Sequence, residues 1–167
     1  MPISDPGTFE NRGFTLVEML VVLLILGLLG GLVSTLVRPD DRGLLRLEAE
    51  RLAQLLDLAA AESRYTGNAT AWTADGPGYR FWRMNGDAGA TASWSEVLDS
   101  ELLRARALPP GMVISGLQVG NDPARGPMRV AFAPNGPGLP FNIEMSLGTA
   151  RYAIASSPIG ELSVSPR

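Results

Sequence analysis

The chain has no cysteine, no histidine and no lysine among its 167 residues, and all 14 of its basic residues are arginine. Without cysteine there is neither a disulfide nor a thiolate nucleophile, and without histidine there is no imidazole base or metal ligand. Zinc sites of the usual sort, and Ser-His or Cys-His acyl transfer, are thereby excluded. A carboxylate-only calcium or magnesium site stays open. The lack of cysteine leaves the redox compartment undetermined, because an oxidising environment permits disulfides without requiring them. Charge excess is scarce too: 14 basic and 17 acidic residues leave a net charge of -3, and they are scattered along the chain. That balance offers no field for gathering a phosphate backbone, so nucleic-acid binding is not expected. The length suits one compact domain plus an anchor rather than two independent cores.

What is present is a long apolar run. From Met19 to Val37 nineteen consecutive residues are uncharged, mostly Leu and Val, interrupted only by Gly27, Gly30, Gly31, Ser34 and Thr35. As a helix the run spans about 28 Å, close to the roughly 30 Å hydrocarbon core of a bilayer. A buried core helix is the alternative, but globular helices seldom stay apolar all round for so long. The flanks are wrong for an ordinary secretory signal. Residues 1–12 carry Asp5 and Glu10 against Arg12, and Gly13 precedes the apolar run instead of following it. Cleavage there keeps the hydrophobic segment in the mature protein.

Glu18 is the sharper anomaly. A carboxylate near one end of an apolar helix costs less than one at the centre, yet it still needs a partner or access to water. Arg12 is its nearest cation in the chain and is lost if the chain is cut after Gly13. A cut between Gly13 and Phe14 creates an ammonium group at the same membrane depth, a natural partner; simple interfacial exposure is the other reading.

The run Arg12-Gly13-Phe14-Thr15-Leu16-Val17-Glu18 resembles the type IV prepilin, or class III signal, motif: a short hydrophilic leader, Gly before the cut, Phe first in the mature chain and Glu fifth. The resemblance implies that a membrane-bound prepilin peptidase and methyltransferase cuts after Gly13 and methylates the amine of Phe14. It also implies that Glu18 pairs with that amine, its own or a neighbour's, as subunits join a helical filament. One departure is that many major pilins carry a Pro where Thr35 stands. Gly30 and Gly31 permit local bending or close helix contact there, or are ordinary membrane-helix composition.

Arg38, Pro39, Asp40, Asp41 and Arg42 form a polar collar that ends the membrane segment. Pro39 kinks the helix or opens a renewed one. Beyond it Leu45, Ala49, Leu52, Leu56 and Ala59 recur at helical spacing, widened by Leu44, Leu55 and Ala60. The spacing predicts a helix over 43–65, ended by Gly67 and Asn68, with its stripe packed on a sheet or, less favoured, on another subunit's helix. If both helical parts join, Phe14 to Tyr65 makes a rod of 52 residues, roughly 78 Å long.

Strands are expected at 69–74, 79–84, 112–119, 128–133, 141–147, 151–155 and 161–164. Asp75-Gly76-Pro77-Gly78 forms the first turn, 85–92 is a loop, and 94–108 is ambiguous, with room for a short helix. Regular spacing with Gly, Pro and Asn between strands favours antiparallel sheet. The expected fold is therefore α+β, a long N-terminal helix packed on one or two antiparallel sheets, and the prepilin resemblance implies that it is pilin-like. The expected division is a leader over 1–13, a transmembrane and assembly helix over 14–37, its amphipathic continuation over 38–66 and a β-rich periplasmic domain over 67–167.

The C-terminal pattern carries a second resemblance. Phe132-Ala133-Pro134-Asn135-Gly136, Pro140-Phe141-Asn142-Ile143-Glu144-Met145, Tyr152-Ala153-Ile154 and Gly160-Glu161-Leu162-Ser163-Val164 resemble the end of the domain shared by H-type minor pseudopilins of type II secretion and FimT-like minor pilins, the GspH/FimT-like family. There an aromatic-x-Pro-Asp/Asn-Gly turn joins two strands and a Gly introduces the last one. Asn135-Gly136 can supply a tight turn, and Phe132, Phe141, Ile143 and Ile154 offer core positions. Trp72, Trp82 and Trp94 read as packing residues more readily than as ligand platforms. After Met128 only Glu144 and Glu161 are acidic, which counts against the calcium loop of major pseudopilins.

The resemblance implies a minor pseudopilin at or near the tip of a type II secretion pseudopilus, held by a single pass in the bacterial inner membrane with its C-terminal domain in the periplasm. Implied partners are other minor pseudopilins, the major pseudopilin, the prepilin peptidase, the inner-membrane assembly platform and secreted cargo. A minor pilin of a type IV pilus or DNA-uptake system is the alternative. Glu48 with Glu50 and Asp99 with Glu101 are the carboxylates an enzyme would use, but alternate residues project differently on a helix and no base, nucleophile or metal cluster converges on them. No catalytic residue, metal ligand or cofactor is expected.

Overall fold

Two stretches of helix-forming sequence open the chain, and each is specified by its cap. In the computed structural model, which describes residues 15–36, 40–86, 93–120, 122–123, 127–136 and 138–167, α1 runs Leu16–Leu36 and α2 runs Asp41–Thr66. They belong to two separate compact units, residues 1–39 and 40–167. The join at 37–39 lies outside the described residues, but Asp40 is non-helical (φ -78°, ψ 80°) and caps α2, so the expected unbroken rod stops there and α2 starts afresh.

In α2 the Asp40 carboxylate accepts from the Gly43 N–H at 3.0 Å, satisfying a first-turn donor. A Cβ at Gly43 would meet that carboxylate, so a larger residue there displaces the cap. At the far end Gly67 adopts φ 74° and its N–H returns to the Ser63 carbonyl at 3.0 Å, a left-handed stop that a side chain would strain. The predicted stripe is buried at Leu45, Ala49, Leu52, Leu56 and Ala59, and Leu55 joins it, whereas Leu44 stays exposed and Ala60 is half-buried. The opposite face carries Arg46–Glu50 at 2.7 Å and Arg51–Glu48 at 3.5 Å.

The remainder forms two antiparallel sheets, which settles the number left open by the sequence. One contains β1 (Thr70–Ala74), β2 (Gly78–Asn85), β3 (Ser93–Glu96), β4 (Arg106–Ala107) and β7 (Met128–Phe132). Its order is β3-β2-β1-β7, with β4 also on β2. The other has the order β10-β9-β8-β5-β6, built from β5 (Met112–Val119), β6 (Asp122–Pro123), β8 (Phe141–Leu147), β9 (Ala150–Ser156) and β10 (Leu162–Pro166). The Asp75–Gly78 turn forms as expected, with the Asp75 N–H on the Gly78 carbonyl. Strand β8 buries every second residue from Phe141 to Leu147, which gives it one face in the core.

Two sequence expectations resolve differently. The ambiguous stretch 94–108 holds no helix: Trp94 pairs with Met84 in β3, Arg106 pairs with Tyr79 in β4, and Val97 and Leu103 drop between them into the core. Cross-strand pairing with β2 and burial of those two side chains override a weak helical pattern. The Asn135-Gly136 turn does not close a hairpin either, because β7 and β8 lie in different sheets. Residues 133–140 are a crossover, and its ends are held by the edge-on contact of Phe132 with Phe141, ring centres 6.3 Å apart.

Both sheets and α2 share one core in which Trp72, Phe81, Leu45, Leu52, Leu56, Ile143, Met145 and Ile154 are fully buried. Buried polar groups are tied across it. The Ser63 hydroxyl donates to the Phe132 carbonyl at 2.9 Å, and the Thr70 hydroxyl to the Ala59 carbonyl at 2.8 Å. Among the described residues every buried core residue lies at or beyond Leu45, so the second unit has a core of its own, which is what an independently folding domain requires. Within that core the Trp72 indole N–H has no hydrogen-bond partner. Trp72→Ala in the 40–167 segment is therefore expected to cost about 3–5 kcal/mol in urea unfolding, while Trp72→Phe, which also removes the orphaned donor, costs under about half as much. Equal losses for the two variants would show that the indole ring is not a packed core element.

Candidate functional site

The first functional residues to place are those of the N-terminal motif. Gly13 and Phe14 lie outside the described residues; Thr15 and Glu18 lie inside them. The Glu18 N–H donates to the Thr15 hydroxyl at 3.2 Å, and the Met19 N–H to the Thr15 carbonyl at 3.2 Å. Thr15 is thus the N-cap of α1 and Glu18 its third residue, the Thr-x-x-Glu spacing of a capping box. The sequence contained that signal, and reading Glu18 only as an ion-pair partner misses it. A carboxylate in the first turn also complements the positive end of the helix dipole.

The rest of α1 has no polar face. Twelve large apolar side chains from Leu16 to Leu29 are exposed within the chain, Leu16 at 81% and Leu28 at 67%. At about 1.5 kcal/mol or more for each such side chain removed from water, covering this surface is worth on the order of 20 kcal/mol. That exceeds the roughly 5–15 kcal/mol by which a whole domain is stable, so lipid or other chains must cover the helix. By a strict hydropathy count no helix among the described residues is long and apolar enough to cross a membrane. The full α1 sequence, 21 residues with Glu18 its one ionisable group, is nevertheless about 31 Å long, and its complete span is the length that bears on anchoring.

In the second unit the expected packing roles hold for Trp72, which is core, while Trp82 and Trp94 are half-buried on the opposite side of their sheet. The Trp82 indole N–H donates to the Thr73 hydroxyl at 2.8 Å, and the Arg129 guanidinium sits 4.2 Å over the Trp94 ring. Among the described residues no three acidic side chains gather as a metal site. Glu48 and Glu50 each pair with an arginine of α2, and Asp99 pairs with Arg83, so these carboxylates are engaged as ion-pair partners.

Arg83 links three elements of the domain. It bonds Glu62 on α2 through Nε at 3.0 Å and through a second nitrogen, and Asp99 after β3 at 2.9 Å. The Asp99 and Glu62 hydrogen bonds raise the arginine above its ordinary value, and the same Arg83 bond holds Asp99 below the usual carboxylate range.

With this geometry in view, the comparisons decide the family. Residues 48–160, over half of the chain, match the type II transport protein GspH family, and residues 9–34 match the prokaryotic N-terminal methylation motif. The chain belongs to the GspH family. Two structures of the minor pseudopilin EpsH from the Type 2 Secretion System of Vibrio cholerae share its fold. One, at 14% identity, has a TM-score of 0.59 and covers 72% of this chain and 94% of EpsH; the other, at 15% identity, has a TM-score of 0.60 and covers 75% and 96%. The solution structure of E. coli GspH, at 18% identity, gives a TM-score of 0.57 over 78% of this chain and 94% of that one. Curated protein sequences give no significant match. Family membership together with the methylation motif implies a structural subunit that associates with other pseudopilins and is anchored in the inner membrane.

The ion-pair node predicts a pH effect. Asp99 has a depressed pKa when folded, so its contribution is present above the unfolded value near 3.8 and is lost as pH falls through the lower folded value. Urea midpoints of the 40–167 segment are expected to fall more steeply below pH 4 for the natural sequence than for Asp99→Asn. Arg83→Ala is expected to cost about 1–3 kcal/mol at pH 7, because it leaves Glu62 half-buried without its cation. Superimposable acid limbs for the natural and Asp99→Asn proteins would remove the node from the account.

Proposed function

We infer that this GspH-family chain is a minor pseudopilin at or near the tip of a type II secretion pseudopilus, where it supports export of folded proteins across the outer membrane. The observation that carries the reading is the pairing of a GspH-type domain with an N-terminal methylation motif, on a helix whose apolar surface its own chain leaves uncovered.

In this reading residues 1–13 are a leader removed by the prepilin peptidase, and Phe14 becomes the N-methylated first residue. Residues 14–37 then hold the subunit in the inner membrane, as a single pass, until it is drawn into the filament. Residues 38–66 are the amphipathic segment, whose helix α2 starts at its own cap, Asp40, and residues 67–167 form the periplasmic domain. Glu18 does two things in sequence. Within its own chain it stands at the capping-box position of α1; against a neighbour, its carboxylate meets the ammonium of Phe14 in an apolar setting, where an unpaired charge of either sign is costly. That pairing fixes the axial register between subunits. The periplasmic domain supplies lateral contacts to the major pseudopilin, companion minor pseudopilins and cargo, and the assembly platform receives the subunit at the membrane. The role is structural, with no catalytic residue.

Two variants test this reading. Gly13→Leu is expected to leave an uncleaved precursor, because the cut needs a small residue beside the scissile bond; intact mass beginning at Phe14 in that variant would refute it. Glu18→Ala is expected to insert and be cleaved normally but to lose cross-links to partner pseudopilins by about tenfold or more. Undiminished cross-linking would show that Glu18 serves only as a cap. Mass spectrometry of the cross-linked partners identifies the machine, since capture of type IV pilus subunits in place of secretion pseudopilins would reassign the chain.

A further inference from the structure

The described surface of the second unit holds an open cavity of about 530 Å³ between the N-terminal half of α2 and the segment leading into and out of β4. Arg51, Arg104 and Arg106 line it, with Glu48 as its sole lining carboxylate. Glu48 is already engaged by Arg51 at 3.5 Å, and among the described residues neither Arg104 nor Arg106 forms an ion pair. Three guanidiniums against one carboxylate give a local excess of positive charge in a chain whose net charge is -3. The Arg106 Nε is buried without a hydrogen-bond partner, so binding at this site rests on the outer nitrogens of the guanidinium.

The cavity is built on fixed backbone. Arg106 and Ala107 are paired with Tyr79 and Gly78 in the sheet, the Leu108 N–H donates to the Pro77 carbonyl at 2.8 Å, and the Met112 N–H to the Pro109 carbonyl at 3.0 Å. Tyr79, 2% exposed, forms its base. Of the three arginines, Arg106 is carried on this paired backbone, and the planar guanidinium fork matches a carboxylate in two parallel hydrogen bonds. Ala105, Ala107, Leu108 and Pro109 also line it and form a small apolar wall, the lesser part of a mainly polar surface. A small inorganic anion would leave that wall wet; a carboxylate carried on a peptide would cover it with the residues that flank it.

We propose that the Arg51–Arg104–Arg106 cavity is a docking site for an acidic segment of another subunit of the filament, with a partner Asp or Glu received between Arg104 and Arg106. The identity of that partner rests on the assembly reading above; the charge chemistry of the site does not.

The test uses the full-length chain in cells that also make its companion pseudopilins, with a photo-cross-linking residue replacing exposed Ala105 and, as a separate control, one replacing Leu23 on α1. The expected result is an Ala105-position adduct whose partner peptide contains Asp or Glu. Its yield should fall about tenfold in Arg104→Glu/Arg106→Glu and recover when the mapped partner carboxylate is changed to Arg. Arg104→Gln/Arg106→Gln, checked for folding by circular dichroism, should give an intermediate yield, which separates lost attraction from lost structure. An adduct that survives charge reversal, or one on a peptide without a carboxylate, overturns the proposal. Absence of any adduct at Ala105 while Leu23 still cross-links overturns the cavity but leaves the assembly reading standing. Silence at both positions overturns both. A thermal shift of the 40–167 segment by millimolar inorganic phosphate that disappears in the Gln variant, with no peptide adduct in cells, assigns the cavity to a free anion and also overturns the proposal.

Discussion

The apolar stripe of α2 is the surface on which the whole second unit is assembled. Leu45, Ala49, Leu52, Leu56 and Ala59 are completely buried, and the core they enter takes residues from both sheets: Trp72 and Phe81 from one, Ile143, Met145 and Ile154 from the other. Neither sheet closes on itself, and the two are separate hydrogen-bonded sets. Burial against the helix, worth roughly 1.5–3 kcal/mol for each large side chain, is therefore what makes them one domain. The polar ties that cross this boundary run mainly to the C-terminal half of the helix. Ser63 holds the Phe132 carbonyl, the Ala59 carbonyl holds Thr70, and Glu62 holds Arg83, so the orientation of β1, β2 and β7 on α2 is set by hydrogen bonds placed where water is largely excluded.

The first unit obeys the opposite rule. Its helix is apolar on every side, and the side chains described from Leu16 to Leu29 are exposed. A chain of this kind has divided its hydrophobic surface into a part satisfied by its own fold and a part left for a bilayer or for other chains. The division separates the GspH-type domain, which has a core of its own, from the segment that carries the methylation motif. It also gives the single acidic residue of α1 a defined setting: Glu18 is in the first turn, where its carboxylate complements the helix dipole and its N–H is capped by Thr15.

Charge on the second unit is mostly internal bookkeeping between neighbours on the surface, with the pairs on α2 and the Arg83 node accounting for its prominent carboxylates. The cavity around Arg104 and Arg106 departs from that pattern. Its positive excess and the paired backbone that carries Arg106 are the basis for proposing a recognition surface distinct from α1. A filament subunit that makes contacts through both would have its axial register set by the helix and its lateral neighbour chosen by charge, two separable determinants.

The sequence by itself determined the two helices, the α2 stripe, most strand positions and the family, because these rest on local periods and short motifs: 3.6 residues for Leu45 to Ala59, two for Phe141 to Leu147, and the fixed spacing of Gly13, Phe14 and Glu18. It also contained the Thr15–Glu18 cap, which is a matter of spacing alone. Tertiary structure decided what local pattern leaves degenerate. The stretch 94–108 became β3 and β4 because β2 offered it an edge, 133–140 became a crossover because Phe132 and Phe141 face one core from different sheets, and Arg51 met Arg104 and Arg106 across 53 residues of sequence. Each of those outcomes depends on contacts between residues far apart in the chain, whose free energy is set by packing and pairing and has no counterpart in the neighbouring sequence.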